Sequence, residues 1–242
     1  MTTIVRTPAT KRASMSSPRR TALVAGVFYL ITYVSIPTLS LYVPVKAADF
    51  AIGSAASTGA QLGCFLEVIV ALASIGTAVT LFPVLRRQNE GMALGFVASR
   101  TLEGAMIFAG VASLLSLVAL QQPGASGADA TSLTTASHAL VGFYNGAFLV
   151  GQSLMPAVNA VLLGTLLYRS RLVPRIIPVF GLVGAPLQFT AVFLTMFGVI
   201  GRTSSTALAL VLPIVIFELS VGLYLVIKGF KPSPITAAMV AS

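Results

Sequence analysis

Six long apolar stretches, separated by five short breaks, run through this chain of 242 residues. A bilayer core about 30 Å thick takes roughly 20 apolar residues per helix, and only helices or closed barrels satisfy their backbone groups there. The pattern predicts an all-α integral membrane bundle of six transmembrane helices. The spans are Thr21–Val43, Gln61–Leu85, Gly91–Leu120, Ala139–Tyr168, Ile176–Ile200 and Ala207–Ile227. Charged residues make up only 9% of the chain against 56% apolar ones, where soluble domains carry roughly 25% charge. That balance excludes an ordinary soluble fold.

The formal charge of +9 raises nucleic acid as a partner, but the basic residues sit beside span ends and form no stripe with interleaved aromatics. They speak for topology and for contact with anionic membrane lipid. One set of alternate segments holds Arg6, Lys11, Arg12, Arg19, Arg20, Arg86, Arg87, Arg169, Arg171, Arg175, Lys228 and Lys231, while the opposite set holds only Lys46 and Arg202. By the positive-inside rule this excess predicts that both termini are cytoplasmic.

Residues 1–20, rich in Ser, Thr, Pro and Arg, are expected to form a disordered basic tail, because they bury too little apolar surface to order themselves. Residues 21–230 form the membrane domain and 231–242 a second short cytoplasmic tail. The run from Thr21 to Val43 exceeds the about 7–15 residues of a cleaved secretory segment and contains Pro37, which favours a retained span. Val45-Lys46-Ala47 loosely resembles a cleavage site, so processing stays open. The Gly-, Ala-, Ser- and Thr-rich stretch Pro123 to His138 reads as a solvated, mobile loop. No phosphate-binding Gly-Lys-Ser/Thr loop and no dinucleotide fingerprint is present, which excludes a motor within this chain.

The ionisable residues inside the spans carry whatever chemistry there is: Glu67 in the second, Arg100 and Glu103 in the third, Glu218 in the sixth. Each charge near a helix centre costs about 2.5–3.5 kcal/mol on insertion scales, so such residues are functional candidates by default. Arg100 and Glu103 share a helix face three residues apart and are able to pair. The third stretch is 30 residues long, about 45 Å as a helix, and so has room to slide. In that structural alternative Arg100 snorkels to headgroups at the cytoplasmic interface while holding Glu103.

Glu218 lies near the middle of a span of only 21 residues, and sliding brings it to neither interface. Its carboxyl is expected to be neutral or held ionised by a cation such as Arg100. Either proton coupling or plain interhelical hydrogen bonding would use it. Glu67 lies near the outer end of its span, where access from outside is open.

His138, Asn145, Gln152 and Asn159 recur every seven residues along the fourth span. Positions seven apart drift only about 20° per step around a helix. The four therefore read as one polar stripe that turns into the bundle or a hydrated cavity, as interhelical glue or as a solute-lining surface. Pro156 stands between Gln152 and Asn159, where a missing backbone donor opens the helix beside the stripe. Pro37, Pro186 and Pro213 fall inside other spans. Gly142 and Gly146 have the spacing for close helix approach.

A single histidine and a single cysteine, Cys64, supply neither a disulfide nor the ligand set of a zinc or bis-imidazole haem site. No cofactor or metal is expected. Glu67, Glu103 and Glu218 could in principle converge on a divalent ion, though the Arg100 pairing makes a poor match. No activated nucleophile with a base is visible, which weighs against an enzyme.

Three stretches carry a resemblance. Phe82-Pro83-Val84-Leu85-Arg86-Arg87-Gln88-Asn89-Glu90, running through Ala93-Leu94-Gly95-Phe96 to Arg100-Thr101-Leu102-Glu103, is similar to the central signature of the bacterial membrane family domain of unknown function 4386. Ser170-Arg171-Leu172-Val173-Pro174-Arg175, with Gly181-Leu182-Val183-Gly184-Ala185, resembles its second signature. Pro213 to Lys228, containing Glu218-Leu219, resembles the third, and Gly26 to Tyr29 its opening. The resemblance covers about Arg20 to Lys231 and implies a six-span protein of the bacterial cell membrane, with no assigned activity.

Two functions follow as expectations. One is a small-solute or proton-linked carrier in which Glu218 and the Asn145, Gln152, Asn159 stripe line a hydrated cavity, with Arg100 as counter-charge. The other is an accessory or scaffolding subunit whose polar groups only fix helix packing.

Overall fold

A computed structural model describes residues 16–47, 50, 57–121 and 129–240. Six helices are long and apolar enough to cross a membrane, and the described residues contain no strand. Helix α1 covers Ser17–Ile31, α2 Thr58–Leu85, α3 Glu90–Ala119, α4 Ala130–Ser170, α5 Ile176–Met196 and α6 Ser205–Ile227, with a short α7 at Pro234–Val240. Local chemistry places several of their starts. The side chains of Asn89, Asp129 and Ser204 accept from the backbone N–H of Met92, Ser132 and Ala207, at 2.8, 2.7 and 3.2 Å, satisfying donors that a helix start leaves unpaired. Arg171 ends α4 in the left-handed region at φ 56°.

Each helix packs on the next, and α6 returns onto α1, so the bundle closes as a ring in chain order. Short connections make sequence neighbours antiparallel neighbours. The seams of α6 are built on small residues. A Cβ added at Gly26 of α1 would stand 2.8 Å from the Gly222 carbonyl oxygen and 2.9 Å from the Val226 nitrogen, and one at Gly184 of α5 would stand 2.9 Å from the Ile214 nitrogen. Backbone meets backbone there, the approach that glycine permits in membrane helices. Leu72, Val79, Leu208 and Leu212 are exposed, the outward apolar surface that a lipid-facing bundle presents.

The first span is not one continuous helix. Beyond Ile31 the chain continues through short 3₁₀ turns at Thr32–Ser35 and Pro44–Lys46, flanking a helical turn at Thr38–Leu41. The hydroxyls of Thr32 and Thr38 donate to the carbonyls of Tyr29 and Ser35, both at 2.7 Å. Pro37 withholds a backbone donor. Both effects favour a tightened path over a regular helix.

The fourth helix begins nine residues before the expected Ala139, so 130–138 are helical and not loop; 123–128 lie outside the described residues. The fifth helix stops at Met196, short of the expected Ile200, as the chain turns through Gly198 at φ 70°. Of the expected N-terminal tail, 1–15 lie outside the described residues, whereas Ser17 to Arg20 are helical. The Arg19 guanidinium donates to the carbonyls of Leu225 and Val226, at 2.8 and 2.6 Å, and so closes the C-terminal end of α6. In the expected C-terminal tail, α7 packs against α1.

Candidate functional site

Two buried polar clusters lie inside the ring. The first is centred on Arg100, near the first third of α3, with its side chain 2% exposed. Its Nη1 donates to both Glu103 carboxylate oxygens, at 3.2 and 3.0 Å, and its Nη2 to Glu218 Oε1 of α6, at 2.6 Å. Asn159 of α4 donates to Glu103 Oε2 at 2.7 Å, and Ser74 of α2 donates to Glu103 Oε1 at 3.5 Å. The guanidinium also lies 5.1 Å from the ring centre of Tyr29 on α1 and 5.8 Å from that of Phe96, within range of a cation–π attraction. Four helices thus converge on one guanidinium and its carboxylates, and α1 contributes a ring face.

Arg100 does not snorkel. Being buried inside the bundle, it draws its compensation from two carboxylates. A fork of N–H donors suits this, because two carboxylates engage it from different directions without sharing a donor atom.

The second cluster is centred on Glu67 of α2, which is fully buried. Its Oε1 accepts from the Tyr144 hydroxyl at 3.0 Å and from Gln152 Nε2 at 3.2 Å, both on α4. Tyr42, from the broken segment after α1, packs edge-on against Tyr144 with ring centres 5.4 Å apart, and Lys46 Nζ lies 4.4 Å from the centre of the Tyr144 ring. Glu67 therefore stands apart from Glu103 and Glu218, and the three carboxyls do not converge on a common ion position.

The polar series on α4 divides. Gln152 and Asn159 reach inward to Glu67 and Glu103, whereas His138 and Asn145 are exposed, which corrects the expectation of a single stripe. The reason is a π-helical segment at Leu149–Leu154. Its wider turn breaks the constant phase that seven-residue spacing assumes. It ends two residues before Pro156, where the missing donor was expected to open the helix. Gln188 of α5 donates to the Ser153 carbonyl within this segment. Gly142 and Gly146 are also exposed, and an added Cβ at either meets nothing within 4 Å, so close helix approach occurs at Gly26 and Gly184 instead.

Sequence reasoning missed Tyr29, Ser74 and Tyr144 as members of these clusters, and Gln188 beside the π-helical segment. Ser74 was findable, since it lies seven residues after Glu67 on the same helix. Tyr144, which neighbours Asn145, was masked by the assumption of an unbroken stripe. Several buried atoms of the two clusters, among them Glu67 Oε2, Arg100 Nε, Asn159 Oδ1 and the hydroxyls of Tyr29 and Tyr42, have no hydrogen-bond partner among the described residues. Both clusters thus keep hydrogen-bonding capacity beyond their internal contacts.

No curated protein and no solved structure matches this chain. Residues 24–229 do match a family described as Domain of unknown function (DUF4386), and the chain belongs to it.

Proposed function

We propose that the protein is a proton-linked carrier of a small solute, set in the bacterial cell membrane with both termini cytoplasmic. The observation that carries this reading is the two-to-one stoichiometry of the first cluster: Glu103 and Glu218 share the single Arg100 guanidinium. Charge neutrality of that triad takes one proton. The Glu218 side chain is 16% exposed and that of Glu103 6%, so Glu218 is the more accessible carboxyl for proton exchange. A proton entering the triad turns one charge-assisted contact to Arg100 into a weaker neutral one and keeps the other, giving a local two-state element.

Helix interruptions beside both clusters support the same reading. Discontinuous helices line the binding sites of many carriers, and here the π-helical turn carries Gln152 while the irregular stretch after α1 carries Tyr42 and Lys46. Glu67, Gln152 and Asn159 face inward, where such a carrier would handle its solute, whereas His138 and Asn145 are exposed on the outside of the ring.

The test is the melting temperature of the purified protein across a panel of metabolites at two pH values, followed by uptake into proteoliposomes under an imposed pH gradient. A saturable, pH-dependent shift and gradient-driven uptake are expected, with uptake lost in Glu218→Gln while the fold and detergent stability persist. A Glu218→Gln protein that fails to accumulate, or a panel without any shift, would refute the carrier reading. Such a result would favour a non-transporting accessory subunit, for which the near-complete burial of Arg100 speaks, since buried ion networks also lock helix register. A stable protein partner on purification is then expected.

A further inference from the structure

The only two basic residues expected on the sparsely charged side of the bundle, Lys46 and Arg202, stand on one aromatic strip. Lys46 Nζ lies 4.4 Å from the ring centre of Tyr144, Arg202 Cζ lies 4.2 Å from that of Phe148, and the two rings are 6.1 Å apart. Tyr144 and Phe148 are four residues apart on α4 and so share a face. They hold the cations side by side at the end of the bundle where the Glu67 cluster begins. Neither cation has a carboxylate within salt-bridge distance among the described residues.

Two like charges held together this way repel, and the arrangement is relieved by an anion between them. Beside Arg202 opens a cavity of about 420 Å³ whose walls include Asn145, Thr195, Arg202 and Thr203. Its polar groups are an amide, two hydroxyls and a guanidinium, with no carboxylate. A guanidinium is a planar donor fork matched to carboxylate and phosphate groups, and the amide and hydroxyls add donors for further oxygens. Asn145 is exposed and lies on the wall of this cavity, which is reached from outside the ring.

We propose that Arg202, Lys46 and Asn145 form a recognition site for a small oxyanion, a carboxylate or phosphate group borne by a free solute or by a lipid headgroup. As the substrate class of the carrier, a small organic anion, the inference rests on the reading above; as a binding site it stands without it. From this site the Tyr144 ring leads directly to Glu67, whose carboxylate accepts from the Tyr144 hydroxyl. Lys46, standing on the Tyr144 ring, is thus one side chain away from the first buried carboxyl.

The test is isothermal titration of the full-length protein in detergent with sodium acetate, sodium phosphate, and short-chain phosphatidylglycerol against phosphatidylcholine. Ionic strength is held constant with sodium chloride. Saturable binding of acetate or phosphate, weakened about tenfold or more in Arg202→Gln and in Lys46→Gln and kept in Arg202→Lys, supports a free-solute site. Preference for phosphatidylglycerol with the same variant pattern supports the site with a lipid as its ligand. Absence of binding to all of these probes, or binding indifferent to both Gln variants while they remain monodisperse, overturns it. Binding without uptake in proteoliposomes would retain the site and remove only the carrier.

Discussion

Replacing Arg100 with leucine separates the electrostatic role of the first cluster from its packing. The guanidinium makes three charge-assisted hydrogen bonds, two to Glu103 and one to Glu218, at 3.2, 3.0 and 2.6 Å. Arg100→Leu leaves two carboxyls inside the ring with no cation, and removing one side of a buried ion network typically costs about 3–5 kcal/mol. The Asn159 and Ser74 contacts to Glu103 soften the loss but do not replace a charge, so a value near the middle of that range is expected. The triple variant Arg100→Leu, Glu103→Leu, Glu218→Leu removes cation and anions together. It should recover most of the loss, because a well-packed apolar replacement of a buried ion network is often neutral or stabilising. The assay is equilibrium unfolding in mixed detergent and SDS micelles followed by far-UV circular dichroism, with Glu103→Leu and Glu218→Leu completing the cycle of couplings. If Arg100→Leu alone unfolds at the wild-type SDS fraction, or the triple variant is less stable than Arg100→Leu, the guanidinium is not what holds α3 and α6 together and the reasoning fails.

Two further outcomes follow from the geometry. Gly26→Ala drives a methyl against the Gly222 carbonyl and the Val226 nitrogen at 2.8 and 2.9 Å, so α1 and α6 must separate, at a cost of about 1–3 kcal/mol; Gly142→Ala, with nothing within 4 Å, is expected to be neutral or slightly stabilising in the same SDS titration. Acetate binding at the Lys46 and Arg202 site should weaken as pH rises through about 8, while acetate itself stays ionised throughout. Burial and then the neighbouring Arg202 charge lower the Lys46 ammonium to about 8, against the pull of Glu67, so Lys46 carries its charge below that pH and loses it above. The other groups facing Lys46 are the rings of Tyr42 and Tyr144. Titrations at a series of pH values check this, and an affinity flat across that range in the wild type would refute the role of Lys46.

The hydropathy of this chain alone determined six crossing helices, because each span must satisfy its backbone internally and exclude charge over its whole length. The pairing of Arg100 with Glu103 was legible from their three-residue spacing, whereas that with Glu218 stood only as one of two alternatives, beside a neutral carboxyl. What pattern reading could not supply was the phase of α4. Equal seven-residue spacing is a statement about a regular helix, and the π-helical turn at Leu149–Leu154 depends on how the chain packs around Pro156 and on the Gln188 contact to Ser153. That turn sends Gln152 and Asn159 to Glu67 and Glu103 and leaves Asn145 on the surface. Tertiary packing also decided that Arg100 stays inside, since only the arrival of α6 supplies Glu218 as a second anion. It likewise brought Lys46 and Arg202, more than 150 residues apart in sequence, onto neighbouring rings of one helix. Hydropathy reports the cost of leaving water residue by residue, whereas the partner that offsets that cost lies on another helix and exists only once the ring has closed.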